Sequence, residues 1–282
     1  MTIPAEQFMD EFVKVFASGD IDALMEYYEP ESVIMAEPGV AVSGTEEIRA
    51  VHRKLLDLGG QLVIGEQAIL ESGPYALLTV PFHMERREPG GTAATPLTSD
   101  SHHVMRRTDD GKWIVLLDNP WGTAAARPSG SRDAGTGHTP EQMILDMNKA
   151  FQDRNLDALL NLYMPDAVFS PAPGVLVRGP EAVRGANQAF LGAGDQMING
   201  DVAVLESGPF ALISGGWHLD TTGPDGKAVI VAAGDSVSLL YRSETDGRWR
   251  FFLDNPWGSG FAQQPTGTGR PTAPVPPVVP AP

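Results

Sequence analysis

The chain has 282 residues, enough for about two domains. It has no cysteine, which excludes disulfides, zinc thiolates and thiol nucleophiles, and its net charge of −16 disfavours nucleic-acid and anionic-lipid partners. No stretch approaches the roughly 20 apolar residues needed to span a bilayer, and Met1 to Asp10 lacks a basic patch followed by an apolar run, so a cytoplasmic location is expected.

In chain order, Phe8, Phe12 and Phe16 recur at helical spacing and predict an amphipathic first helix. Gly19 stops it, and Asp20 is placed to cap a short second helix running through Tyr28. Ser32–Ala36 reads as a strand and Thr45–Leu58 as a third helix with glutamates in its first turn. Four strand-like runs follow: Gln61–Leu70, Tyr75–Arg86, Pro96–Arg107 and Lys112–Asp118. Gly73-Pro74 forces one turn and Asp110-Gly111 another. Helices followed by an antiparallel meander define an α+β pattern.

The pattern then repeats. Asp22-Ala-Leu-Met-Glu-Tyr-Tyr28 returns as Asp157-Ala-Leu-Leu-Asn-Leu-Tyr163, Pro38–Gly44 returns as Pro173–Gly179, and LDNPWG ends both copies at Leu117–Gly122 and Leu253–Gly258. Over Asp20–Ala50, 13 of 31 positions are identical in the second copy without a gap, so the chain is an internal duplication. The expected organisation is one domain over 1–122, a small polar linker over 123–138, a second domain over 139–260, and a proline-rich disordered tail over 261–282. That tail has the composition of a PxxP ligand for another protein.

These motifs together carry a family resemblance. The N-terminal helix, the GD-x-D-A-L turn, the strand ending in Glu37-Pro38, the G-x-x-x-I-R helix start and the W-x-x-x-x-D-x-P-W final strand resemble the SnoaL-like/DUF4440 branch of the NTF2-like (ketosteroid-isomerase-type) superfamily. The resemblance covers nearly all of both copies. It implies two tandem cones, each with three helices packed on a curved antiparallel sheet around an apolar pocket. It also implies pairing through the sheets, within the chain as a pseudo-dimer or between chains as a homo-oligomer.

The resemblance places the general base of the isomerases at Glu37, where repeat 2 has Ala172. The family's first oxyanion donor falls on Phe12 and Met147, which have no donor. Its second falls near His103 in repeat 1 and Ser238 in repeat 2. His102 and His103 must point to opposite faces of their strand, and only the alignment selects His103. Glu66, matched by Asp201, would complete a carboxylate pair with Glu37 if it faced inward, as in epoxide-opening cyclases.

Phe12, Phe16, Tyr28 and Leu116 are candidate pocket walls. His83 and His218 match between copies and are candidate ligand contacts or hydrogen-bonded sheet histidines. Asp118 and Asp254 also match. Asp118 alternates with Leu116 and Ile114 and so is expected on their face, at the pocket rim or in an Asx-type turn before Trp121. No metal or cofactor motif is present. Three functions stay open: a cofactor-free isomerase, cyclase or hydrolase working by acid–base catalysis in repeat 1 on an apolar carbonyl- or epoxide-containing metabolite, a non-catalytic binder of an apolar small molecule, or an interaction module.

Overall fold

The computed structural model describes residues 4–85, 97–126 and 139–261. The chain forms two compact units, each built on one repeat.

In repeat 1, α1 (Phe8–Ser18) buries Phe8, Met9, Phe12 and Phe16, the side chains that its 3.6-residue period brings to one face. Gly19 ends it in the left-handed conformation, at φ 71°. Asp20 caps α2 (Ile21–Met25), its carboxylate accepting from the N–H groups of Asp22 and Ala23 at 3.0 Å each. Asp20→Ala is expected to cost about 1 kcal/mol, read as a lower denaturation midpoint. The helix stops earlier than its sequence suggests, because Tyr28 already belongs to β1 (Tyr28–Glu37). Next come β2 (Val40–Ser43), α3 (Thr45–Asp57), β3 (Gln61–Ile64), β4 (Ala68–Ser72), β5 (Tyr75–Glu85), β6 (Leu97–Arg107) and β7 (Trp113–Asn119).

The expected strand over Gln61–Leu70 is therefore two. The break falls at Gly65, whose N–H donates to Pro81 O on β5 at 2.7 Å and where a Cβ would meet the Pro81 ring at 2.8 Å. β2 was not read from the sequence; it is the short return of a hairpin through Pro38-Gly39, with Gly39 at φ 82°.

The sheet order is β2-β1-β7-β6-β5-β3, with β4 also paired to β5. All pairings are antiparallel except β1 with β7, so the sheet is mixed rather than a pure meander. The helices lie on one face, and α1 and α3 with β1, β5 and the first half of β7 enclose the core.

Repeat 2 has the same order: α4 (Pro140–Gln152), α5 (Leu156–Leu160), β8 (Tyr163–Ala172), β9 (Val175–Arg178), α6 (Pro180–Ala193), β10 (Gln196–Ser207), β11 (Phe210–Thr222), β12 (Ala228–Arg242) and β13 (Trp249–Asn255). Its sheet runs β10-β11-β12-β13-β8-β9, again parallel only between β13 and β8 among the registered pairs. β10 is continuous where repeat 1 has β3 and β4.

One irregularity common to both sheets decides the site. Val104 opposes Leu117 and Met105 opposes Val115, which leaves Leu116 as an extra residue on β7. Leu239 opposes Leu253 and Leu240 opposes Phe251, which leaves Phe252 extra on β13. An inserted residue resets the two-residue alternation and re-aims the side chains beyond it. Trp113 and Val115 face the core before the bulge, and Asp118 faces the same side after it. Asp118 therefore does not share the face of Ile114 and Leu116.

The strands end in matching turns. The Asn119 side chain accepts from Trp121 N–H at 3.1 Å and donates to Gly122 O at 2.9 Å, and Asn255 does the same with Trp257 and Gly258. The Asx-type turn thus belongs to the asparagine, not to Asp118. Gly122 (φ 53°) and Gly258 (φ 53°) pass so close to Asp100 O and Asp235 O that a Cβ would stand 2.5 Å away, which accounts for the glycine closing each LDNPWG motif. Short 3-10 turns follow at Gly122–Ala125, with Ala125 buried, and at Gly258–Phe261. The described backbone continues through Ala126 after repeat 1 and through Phe261 after repeat 2. The rest of the expected linker, 127–138, and of the proline-rich tail, 262–282, lies outside the described residues.

Candidate functional site

Each cone holds a pocket. That of repeat 1 encloses about 740 Å³ of non-atom space, its open mouth included. The apolar wall comes from Met9, Phe12 and Phe16 on α1, Val51 and Leu55 on α3, and Ile34, Phe82 and Met84 on the sheet. Pro120 and Trp121 contribute at the end of β7, where Trp121 Nε1–H donates to Met35 O at 2.9 Å. Four polar side chains interrupt this surface: His52, Ser101, His103 and Asp118.

Three of the four form a chain with Tyr28. Ser101 and His103, two apart on β6, project to the same face, while His102 between them points away. The Ser101 hydroxyl lies 2.7 Å from His103 Nε2. His103 Nδ1 lies 3.2 Å from Asp118 Oδ1, a close contact off the line of a hydrogen bond. The Tyr28 hydroxyl donates to Asp118 Oδ2 at 2.6 Å. All four residues are buried.

Burial alone would push the Asp118 carboxyl up, but the His103 imidazole, the Tyr28 hydroxyl and His52 together hold it below the usual carboxylate range. Burial, reinforced by that carboxylate, pushes Tyr28 well above the ordinary phenol range. His102, on the other face, is driven by burial and by His103 down to about 3.

His52 was not singled out by the sequence reading. It stands on α3 within the Ile48, Val51, Leu55 stripe, a pattern usually filled by core residues. The mismatch with Asn187 at the same place in repeat 2 was the available signal.

Several expected site residues lie elsewhere. Glu37 is exposed and does not line the pocket of repeat 1: Ile34 and Ala36 take the inward positions of β1, and alternation turns Glu37 out. Glu66 is exposed in the break between β3 and β4, so the two carboxylates form no pair in the cavity. Leu116 is the bulge residue and is not a wall. His83, between the inward Phe82 and Met84, faces Glu85 at 3.4 Å, and His218 lies 3.6 Å from Asp220 beside the inward Trp217. Neither histidine lines the pocket of its repeat. Phe12, Phe16, His103 and Asp118 do line the pocket of repeat 1, and Tyr28 stands behind Asp118. Among the described residues no cluster of three His, Cys, Asp or Glu side chains could hold a metal ion.

The pocket of repeat 2, about 690 Å³ with its mouth, has the same plan and different chemistry. Asp254 accepts from the Tyr163 hydroxyl and from the Ser238 hydroxyl, at 2.8 Å each. No histidine lines it, since Asn187 and Ser238 stand where His52 and His103 stand in repeat 1. Without a neighbouring imidazole, burial dominates and the hydrogen bonds only partly offset it, so the Asp254 carboxyl rises to about 6.

An α+β cone with an apolar pocket behind its helices, present twice, defines the class: a tandem pair of small pocket-bearing domains. The chain belongs to the SnoaL-like domain family, whose model matches residues 9–116 and again 144–252. Similar solved structures each cover about 40% of the chain. An NTF2-like protein with a cystatin-like fold from Novosphingobium aromaticivorans is 21% identical, covering 40% of this chain and 76% of its own, with a TM-score of 0.36. An NTF2-like protein of unknown function from Shewanella oneidensis is 18% identical over 40% and 92%, at 0.35. A ketosteroid isomerase-like protein from Erwinia carotovora atroseptica is 19% identical over 38% and 85%, at 0.32. No curated protein matches the chain. No helix among the described residues is long and apolar enough to cross a membrane.

Proposed function

We propose that repeat 1 is a cofactor-independent acid–base catalyst of the isomerase, cyclase or hydrolase kind, moving a proton on an apolar carbonyl-bearing small molecule. The observation that carries this reading is a histidine inside an apolar cavity with a buried carboxylate at Nδ1 and a hydroxyl at Nε2. A carboxylate at Nδ1 keeps the proton on that nitrogen and leaves the Nε2 lone pair as the base. The Ser101 hydroxyl occupies that lone pair and either turns aside for a substrate C–H or passes a proton on. Tyr28 fixes the Asp118 carboxylate from behind. Apolar walls exclude water and strengthen each electrostatic contact. His103 takes the role that the family resemblance assigned to Glu37.

The test needs no knowledge of the natural substrate. Exchange of the acidic α-hydrogens of 2-tetralone for deuterium, followed by NMR in D2O, reports proton abstraction next to a carbonyl. The wild-type chain is expected to accelerate it, and His103→Gln to lower the rate by about 10²–10⁴-fold, while Glu37→Gln leaves it unchanged. Equal rates in wild type and His103→Gln would remove the reading.

The second reading, a non-catalytic binder, is favoured for repeat 2. Among the described residues, none of the buried polar side-chain atoms lining its pocket lacks a partner, and no imidazole is present to move a proton.

A further inference from the structure

Repeat 2 keeps the aspartate of the shared plan without anything beside it that could carry positive charge. Asp254 is buried and lines the cavity, and its two oxygens accept from the hydroxyls of Tyr163 on β8 and Ser238 on β12. Among the described residues no Lys, Arg or His lines that cavity, and Tyr163 is the only other titratable side chain that does. The further polar side chains that α6, β10 and β12 add to the lining, Asn187, Asn199 and Ser236, are neutral. A buried carboxylate is ordinarily paired with a cation, because neutral donors only partly replace the water it has given up.

The walls differ from those of repeat 1 as well. A run of ring contacts starts at the tyrosine that holds Asp254: Phe251 to Tyr163 at 5.0 Å, Tyr163 to Phe169 at 5.8 Å, Phe169 to Phe190 at 5.9 Å and Phe190 to Trp217 at 6.1 Å. All five rings line the cavity. Repeat 1 has Val115, Ile34 and Leu55 where repeat 2 has Phe251, Phe169 and Phe190. The Trp217 Nε1–H donates to Pro256 O at 2.6 Å, so its polar edge is already taken and the ring is what it adds to the wall. Aromatic rings attract cations through the negative charge of their faces, most strongly where water is excluded.

We propose that the repeat 2 pocket takes a hydrophobic organic cation, a protonated amine or quaternary ammonium, with its nitrogen beside Asp254 and its carbon skeleton against the aromatic wall. This rests on the reading of repeat 2 as a non-catalytic binder and specifies its ligand class. Two separate differences from repeat 1 converge on it. The absence of both histidines leaves the carboxylate without a partner of opposite charge, and the additional phenylalanines supply rings that favour one. An anionic ligand would meet Asp254 with nothing to offset it, and a neutral one would leave the carboxylate without a counter-charge. Burial holds the free carboxyl up at about 6, and an incoming cation relieves that cost.

The probes are benzyltrimethylammonium and neopentylbenzene, which has the same shape with carbon in place of nitrogen. Each is measured by isothermal titration calorimetry against the full chain, with the protein in the syringe. At neutral pH wild type is expected to bind the cation about tenfold more tightly than the neutral isostere. Asp254→Asn is expected to weaken the cation about 30-fold, and Phe190→Leu, the residue repeat 1 carries at that place, about fivefold. The quaternary nitrogen never titrates, so any pH dependence belongs to the protein. Wild-type affinity should fall about tenfold from neutral pH to one unit below the Asp254 value, as that carboxylate takes up a proton, and Asp254→Asn should lose this slope.

Affinity that rises as pH falls would overturn the cation, pointing instead to a neutral ligand that accepts from the protonated acid. A neutral isostere bound as tightly as the cation would also overturn it, while keeping repeat 2 as a binder. Cation binding indifferent to both substitutions and to pH would put the cation outside this pocket and remove the assignment. If neither probe binds, the assignment and the binder reading fall together, and the acid–base reading of repeat 1 is untouched. Should asparagine disturb folding, Phe190→Leu and the wild-type pH profile still decide.

Discussion

Replacing Asp118 by alanine is expected to destabilise repeat 1 by about 2–3 kcal/mol, the order expected when buried donors lose their shared acceptor, and to abolish any exchange activity that depends on His103. Asp118 is 3% exposed and takes the Tyr28 hydroxyl on one oxygen and His103 on the other. Alanine leaves a buried hydroxyl without its acceptor and an imidazole N–H facing nothing charged. Asp118→Asn keeps the shape and can still accept from Tyr28, so it should cost only about 1–2 kcal/mol while losing most of the exchange rate, because an amide no longer fixes the Nδ1–H tautomer.

The pH dependence has a definite sign. The folded-state value of Asp118 is depressed below 3.8, so its contribution is present above that value and is lost as pH falls through the lower folded value. The penalty for alanine should be flat at neutral pH and shrink only in strong acid. Urea titrations of both variants at neutral and acid pH decide this. A penalty under 1 kcal/mol at neutral pH would show that the Tyr28–Asp118–His103 chain does not hold the repeat together.

Asp254→Asn should behave in the opposite way. The Asp254 carboxyl rises to about 6 in the folded protein from 3.8, mainly through burial. A raised carboxyl contributes stability that is full below the unfolded value and lost as pH climbs through the folded one. A shift of that size corresponds to about 3 kcal/mol across the interval from pH 4 to pH 8. Asparagine does not titrate, so the stability of Asp254→Asn relative to wild type should improve by about that amount over the same interval. Denaturant unfolding of both proteins at several pH values reads the difference. A wild-type-minus-variant gap that stays constant would mean that Asp254 is not held in a dry site.

The contrast between the two aspartates also marks how far the sequence could be read. Asp118 and Asp254 sit in the same LDNPWG motif, at the same place after the same bulge, below the same tyrosine. Their opposite pKa directions follow from His103 against Ser238 first, and from His52 against Asn187 beside it. Both differences were visible in the aligned repeats, and so were the helices, the strand runs, the turns and the family. Each depends on local periodicity, turn residues or a repeated motif, which a linear chain displays directly. The aromatic stripe of Phe8, Phe12 and Phe16 fixed which face of α1 would be inside, and Phe12 and Phe16 do line the pocket.

Tertiary structure decided the rest. Alternation along β7 put Asp118 with Leu116 and Ile114, and the extra residue at Leu116 reversed that, because a bulge shows itself only as a register shift against a neighbouring strand. Glu37 and Glu66 had the right chemistry for a carboxylate pair and the wrong direction. One is turned out by the pleat of β1, and the other falls in a break that Pro81 on the next strand imposes. His52 looked like one more helix residue until the fold left both its nitrogens unpaired beside His103 and Asp118. Sequence alone determined the duplication, the α+β class and the inward aromatic face. Which titratable groups converge in the cavity was set by strand register and packing, since facing direction depends on partners distant in the chain.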